Sequence, residues 1–140
     1  QYTPNVVTFA YRAPELLFGA TNYDTGVDIW SAGCVIAEMS RGKPLFHPDS
    51  DIQLMHQMIE TFGTPEQPRT VFNVGEDVEI PFHEKQLMRT VLETENDVFC
   101  NFVSSLLTYD PAKRLTASAA LKHEYFNDLP QSVKNAMNVE

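Results

Sequence analysis

Apolar positions recur at helical spacing through most of this chain, and the longest such run lies between Thr25 and Gly42. Val27, Trp30, Cys34 and Ala37 fall on one helical face, while Ile29, Val35, Ile36 and Met39 populate the others. A helix apolar on most sides is one buried on most sides, so this segment is predicted to be a central helix. Thr25 or Asp24 can cap its start and Gly42 can stop it. Ser50-Asp51-Ile52-Gln53 has the form of a capping box and opens a second helix, with Ile52, Met55, Ile59 and Phe62 on one stripe and Gly63 at its end. A third helix is expected from near Asp97 to Thr108, with Val98, Phe102, Val103, Leu106 and Leu107 facing in. Thr116 caps a short helix from Ala117 to Lys122. Pro14 suits the first position of another, which runs through Leu16 and Leu17 and ends near Gly19. No β pattern of useful length appears, so the predicted fold is mainly α.

The connecting segments read differently. Residues 1–10 have no clear period. Residues 66–93 are rich in charge and turn residues, punctuated by Pro68, Gly75 and Pro81, and are expected to form an irregular insert with at most short helical pieces near residues 85–91. Such an insert either packs on the surface or serves as a docking site for partner proteins. The polar tail beyond Phe126 is expected to fray.

Composition narrows the function classes. At 140 residues the chain has the length of one domain, and its 43% hydrophobic content supports a globular core. A net charge of -9 argues against nucleic acid or an anionic membrane as the main partner. It leaves a solvated acidic surface or a face that attracts basic peptides. Cys34 and Cys100 both sit in apolar helical pattern, which points to buried free thiols and not to a disulfide framework or zinc site. His47, His56, His83 and His123 show no ligand spacing, so no metal site is expected. No apolar run approaches membrane-spanning length. An intracellular protein, nuclear or cytoplasmic, is the expected setting.

Four motifs then occur in order: Tyr11-Arg12-Ala13-Pro14-Glu15, Asp28-Ile29-Trp30-Ser31-Ala32-Gly33, Gly63-Thr64-Pro65 and Asp110-Pro111-Ala112-Lys113-Arg114-Leu115. This series resembles the eukaryotic protein kinases, in which Ala-Pro-Glu closes the activation segment and an Asp-x-Trp-x-x-Gly helix follows. The resemblance implies that residues 1–126 are part of a kinase domain, the helical C-terminal part of its large lobe, with residues 127–140 as a C-terminal tail. The Gly-rich loop, strand lysine, His-Arg-Asp loop and Asp-Phe-Gly of that family do not occur in these 140 residues. No catalytic residue is therefore assigned in this chain, and the chain alone is expected neither to bind ATP nor to phosphorylate. The alternative is a non-catalytic module, either a pseudokinase or a truncated product that only binds partners.

Within the family, Tyr2-Thr3-Pro4-Asn5-Val6-Val7-Thr8 resembles the cyclin-dependent kinases. Glu15-Leu16-Leu17-Phe18-Gly19-Ala20-Thr21 and Trp30-Ser31-Ala32-Gly33-Cys34 are similar to the glycogen synthase kinase branch. Both belong, with the MAP kinases, to one proline-directed group. Two positions depart from the cyclin-dependent pattern: Ala10 replaces a tryptophan, and the insert lacks one. The resemblance implies transfer of the γ-phosphoryl group of Mg-ATP to Ser or Thr followed by Pro, with a cyclin or other regulatory subunit as partner. It further implies phosphorylation at Thr3, a substrate loop of Val6, Val7, Thr8 and Arg12 with Arg12 steadying Val7, a structural ion pair of Glu15 with Arg114, and scaffold roles for Asp28 and Trp30.

Overall fold

The structure, a computed structural model, describes residues 9–21 and 24–137. Its centre is α1, Gly26–Arg41. Asp24, not Thr25, supplies the start: its Oδ1 accepts the Gly26 N–H at 2.7 Å, whereas Thr25 makes no capping bond through its side chain. Gly42 ends the helix in left-handed backbone, φ 73°, where its N–H reaches Glu38 O. Trp30, Gly33, Cys34 and Ala37 are buried along one face. The opposite face is not covered by the described residues, with Val35 45% and Met39 78% exposed.

Helix α2 spans Asp51–Phe62. Ser50 Oγ accepts the Gln53 N–H at 3.2 Å, as the capping box requires, but Gln53 Oε1 reaches back to the N–H of Asp49, not of Ser50. The buried positions are Leu54, Met55, Met58 and Ile59, while Ile52 is 40% exposed. The expected stripe was thus rotated: the helix turns its 54/58 edge inward, beside Phe46 and Phe72 in the core. After Gly63 (φ 81°) the chain crosses its own insert, and a Cβ there would lie 2.8 Å from the Lys85 backbone nitrogen. Positive φ and lack of space both call for glycine at this crossing.

The insert contains only two short helices, α3 (Pro68–Phe72) and α4 (Met88–Leu92). It is tied to the end of α2 by Thr64 N–H to His83 O at 3.0 Å and Gln86 N–H to Thr61 O at 3.2 Å. Helix α5, Asp97–Leu106, is capped by Asn96, whose side chain accepts the Phe99 N–H. Its buried face is Phe99, Cys100, Phe102, Val103 and Leu106; Val98, expected to face in, is 37% exposed. Helix α5 packs against α1, closely enough that a Cβ on Gly33 would stand 2.8 Å from Leu107 Cδ2. Thr116 caps α6, Ala117–Leu121, by accepting the Ala119 N–H. A 3-10 turn, Glu124–Phe126, then lays Tyr125 flat on Phe102 with centroids 5.3 Å apart. Beyond Phe126 the chain forms α7, Gln131–Met137, which buries none of its residues. Among the described residues there is no strand, and the fold is mainly α as expected.

Candidate functional site

The segment from Tyr11 to Gly19 is the place where the sequence-predicted residues meet the scaffold. Pro14–Gly19 is 3-10 helix with Pro14 near its start. It is kinked at Leu17 and Phe18, and Phe18 has left-handed backbone at φ 57°, ψ 32°. Ala13, Pro14 and Leu17 are buried beneath it. Two groups of α1 hold its leading end. Ser31 Oγ donates to Tyr11 O at 2.9 Å, and the Tyr11 hydroxyl donates to Glu38 Oε2. That bond to Glu38, then partial burial and the Glu38 charge, pushes the Tyr11 phenol up to about 12.

The trailing end is held by Arg114. Its Nε donates to Thr108 O (2.8 Å), Nη1 to Glu15 Oε1 (2.6 Å) and Gly26 O (2.8 Å), and Nη2 to Glu15 Oε2 (2.8 Å) and Tyr109 O (3.0 Å). All five guanidinium N–H donors are used, two of them in the parallel fork that a carboxylate accepts. The Arg114 side chain is 1% exposed. A charge removed from water this completely is tolerable only when paired and fully hydrogen-bonded. The structure thus brings Glu15 and Arg114 together.

Trp30 is buried beside them. Its indole is stacked on Tyr109 at 6.4 Å and meets the edge of Phe62 at 5.8 Å, and its Nε1 is buried with no hydrogen-bond partner among the described residues. Tyr109 in turn donates its hydroxyl to Gly63 O at 2.9 Å, and burial raises its phenol pKa. Asp28 lies exposed in the first turn of α1. Thr3, Val6, Val7 and Thr8 lie outside the described residues. Arg12 is described: its guanidinium carbon stands 4.5 Å over the Phe9 ring, and Nη1 lies 3.3 Å from Asp51 Oδ1. Sequence reasoning missed Asp51, Glu38 and Ser31 as partners of this segment. Asp51 had registered only as part of a capping box, and no periodicity marks a partner dozens of residues away.

Cys34 and Cys100 are buried free thiols. Burial first, and then the Glu38 charge, pushes Cys34 up to about 12. Among the described residues no three His, Cys, Asp or Glu side chains gather to hold a metal ion. The residues around the Tyr11–Gly19 segment serve the fold instead. What they build is a platform that fixes the Tyr-Arg-Ala-Pro-Glu segment. No helix among the described residues is long and apolar enough to cross a membrane.

A segment ending in Ala-Pro-Glu, pinned by a distant arginine over the tryptophan of a central helix, defines a protein kinase large lobe. Residues 1–126 match the protein kinase domain family, and the chain belongs to it. The chain is similar to cyclin-dependent kinase B2-1 of Arabidopsis thaliana, 36% identical over 133 residues that make up 94% of this chain and 42% of that protein. It is similar also to cyclin-dependent kinase B2-2 of the same plant, 37% identical over 132 residues, 93% of this chain and 42% of that one. It therefore spans 42% of the length of these curated relatives, and it is cyclin-dependent-kinase-like.

Proposed function

We propose that this chain is the substrate-loop and scaffold part of a Ser/Thr kinase that phosphorylates Ser or Thr followed by Pro. The observation that carries this reading is the fixing of Tyr11–Glu15 at both ends, by Ser31 and Glu38 on one side and Arg114 on the other. A peptide-binding loop needs such a rigid base, because misplacement of a substrate by about 1 Å is costly in rate. On this reading Val6, Val7 and Thr8 line the substrate pocket and Arg12 steadies the backbone of Val7, turning its carbonyl away from the incoming peptide. An ordinary residue after the target would then bury an N–H without an acceptor, whereas proline has none to bury. Thr3 is the site of activating phosphorylation, and Asp28 braces a catalytic loop supplied from outside these residues. Mg-ATP and the catalytic groups are likewise supplied from outside them, and a cyclin or similar regulatory subunit is the partner. The buried free thiols suit a reducing setting in nucleus or cytoplasm.

The test is a full-length kinase containing these residues, assayed on paired peptides that differ only at the position after the target Ser. The expected preference for proline over alanine is roughly ten- to a hundredfold in kcat/KM. Equal rates would remove the proline-directed assignment.

A further inference from the structure

Asp51 stands at the first position of α2, where the helix dipole alone would favour a carboxylate. Its two oxygens are nevertheless committed elsewhere. Oδ1 faces Arg12 Nη1 at 3.3 Å, and Oδ2 accepts the backbone N–H of Phe18 at 3.0 Å. These donors lie 39 and 33 residues away in sequence, on either side of the Ala-Pro-Glu triplet. Phe18 has the left-handed backbone that a non-glycine residue seldom adopts, and the Asp51 carboxylate fastens that kink. Arg12 is held on two sides, with the Phe9 ring against its plane and Asp51 at its end. Both side chains of the pair are shielded, Arg12 at 30% and Asp51 at 22% exposure, which weakens solvent screening between them.

We infer that Asp51 is a positioning residue for substrate specificity. It acts through Arg12, setting where the guanidinium sits and hence how firmly the substrate loop is held against a residue other than proline. This inference rests on the reading of Arg12 given above. A carboxylate on α2 thereby joins the choice of substrate to the body of the lobe.

The test is a double-mutant cycle in a full-length kinase containing these residues, read as the proline-to-alanine ratio of kcat/KM on the peptide pair. Asp51→Ala is expected to lower the ratio by about three- to tenfold, on the scale of one ordinary hydrogen bond. In an Arg12→Ala background the same change should lower it no further. Asp51→Glu, which keeps the charge, should recover most of the ratio. A role in folding or helix capping alone would scale both peptides together, so an unchanged ratio in Asp51→Ala overturns the inference, as does full additivity with Arg12→Ala. Should Asp51→Ala not accumulate as folded enzyme, Asp51→Asn, which removes the charge at constant shape, is read in the same way. If the unmutated kinase shows no preference at all, the proline-directed reading itself fails. If it shows one that Asp51 variants leave intact, only the role of Asp51 fails.

Discussion

The Arg114 guanidinium lies over the indole of Trp30, its carbon 5.3 Å from the ring centroid. The same group forks onto Glu15, so one side chain joins the Tyr11–Gly19 segment, the central helix and the loop after α5. Removing it leaves the Glu15 carboxylate and three backbone carbonyls without their donor. Arg114→Ala in a full-length kinase is expected to cost roughly 3–5 kcal/mol by chemical denaturation, the scale of breaking a buried pair. A loss under about 1 kcal/mol would be surface-pair behaviour and would contradict the burial described above.

Gly33→Ala sets two effects against each other. Alanine favours helix over glycine by about 1 kcal/mol. Its Cβ would however stand 2.8 Å and 2.9 Å from Leu107 Cδ2 and Cγ, and 3.0 Å from Leu106 Cβ. Overpacking of this kind costs about 1–3 kcal/mol, and the nearness of Leu106 Cβ to its backbone limits relaxation. A lower Tm is expected; a raised one would mean that α5 moves aside freely.

Tyr11 and Tyr109 should titrate late. Tyr11 is held up to about 12 by Glu38, and Tyr109 is raised by burial. The unfolded chain ionises its phenols near 10. Both groups therefore stabilise the fold fully below pH 10, and that contribution is lost as pH rises, for Tyr11 between 10 and about 12. Absorbance titration of the folded protein should show Tyr11 and Tyr109 still protonated at pH 10.5, with Glu38→Gln advancing the ionisation of Tyr11. Late titration unaffected by Glu38→Gln would assign the shift to burial alone.

The 140 residues expressed alone are expected to self-associate. Val35 and Met39 lie on the uncovered face of α1, and contiguous exposed apolar surface drives association. Light scattering should show species larger than a monomer, reduced by Met39→Gln. A monodisperse, cooperatively melting monomer would overturn this expectation.

Helix limits were the most legible part of the sequence, because they are set by local chemistry. Ser50, Gly63, Gly42 and Thr116 act where they were read. Facing was less legible. In α2 and α5 the apolar residues spread over a wide arc, so periodicity alone does not choose the centre of the buried face, and the neighbours buried Leu54 and Phe99 instead of Ile52 and Val98. Helix α7 was missed although Val133, Ala136 and Met137 fall at helical spacing, because the stripe is short, lies in a polar tail and is not buried. At the candidate site, the motif residues Glu15, Arg114 and Trp30 could be named from sequence. The grips of Ser31, Glu38 and Asp51 could not, since each is a single polar contact across many residues of chain.

The Glu15–Arg114 fork also bears on how fast this lobe comes apart. Its partners are 99 residues apart, so the loop it closes takes in most of the described chain. Closure of so long a loop costs entropy before any contact rewards it. The fork should then form after the folding transition state, with a φ-value near zero. Weakening it would speed unfolding while leaving the refolding rate almost unchanged. The pair is in that sense a latch on the lifetime of the folded lobe, not a guide to its assembly.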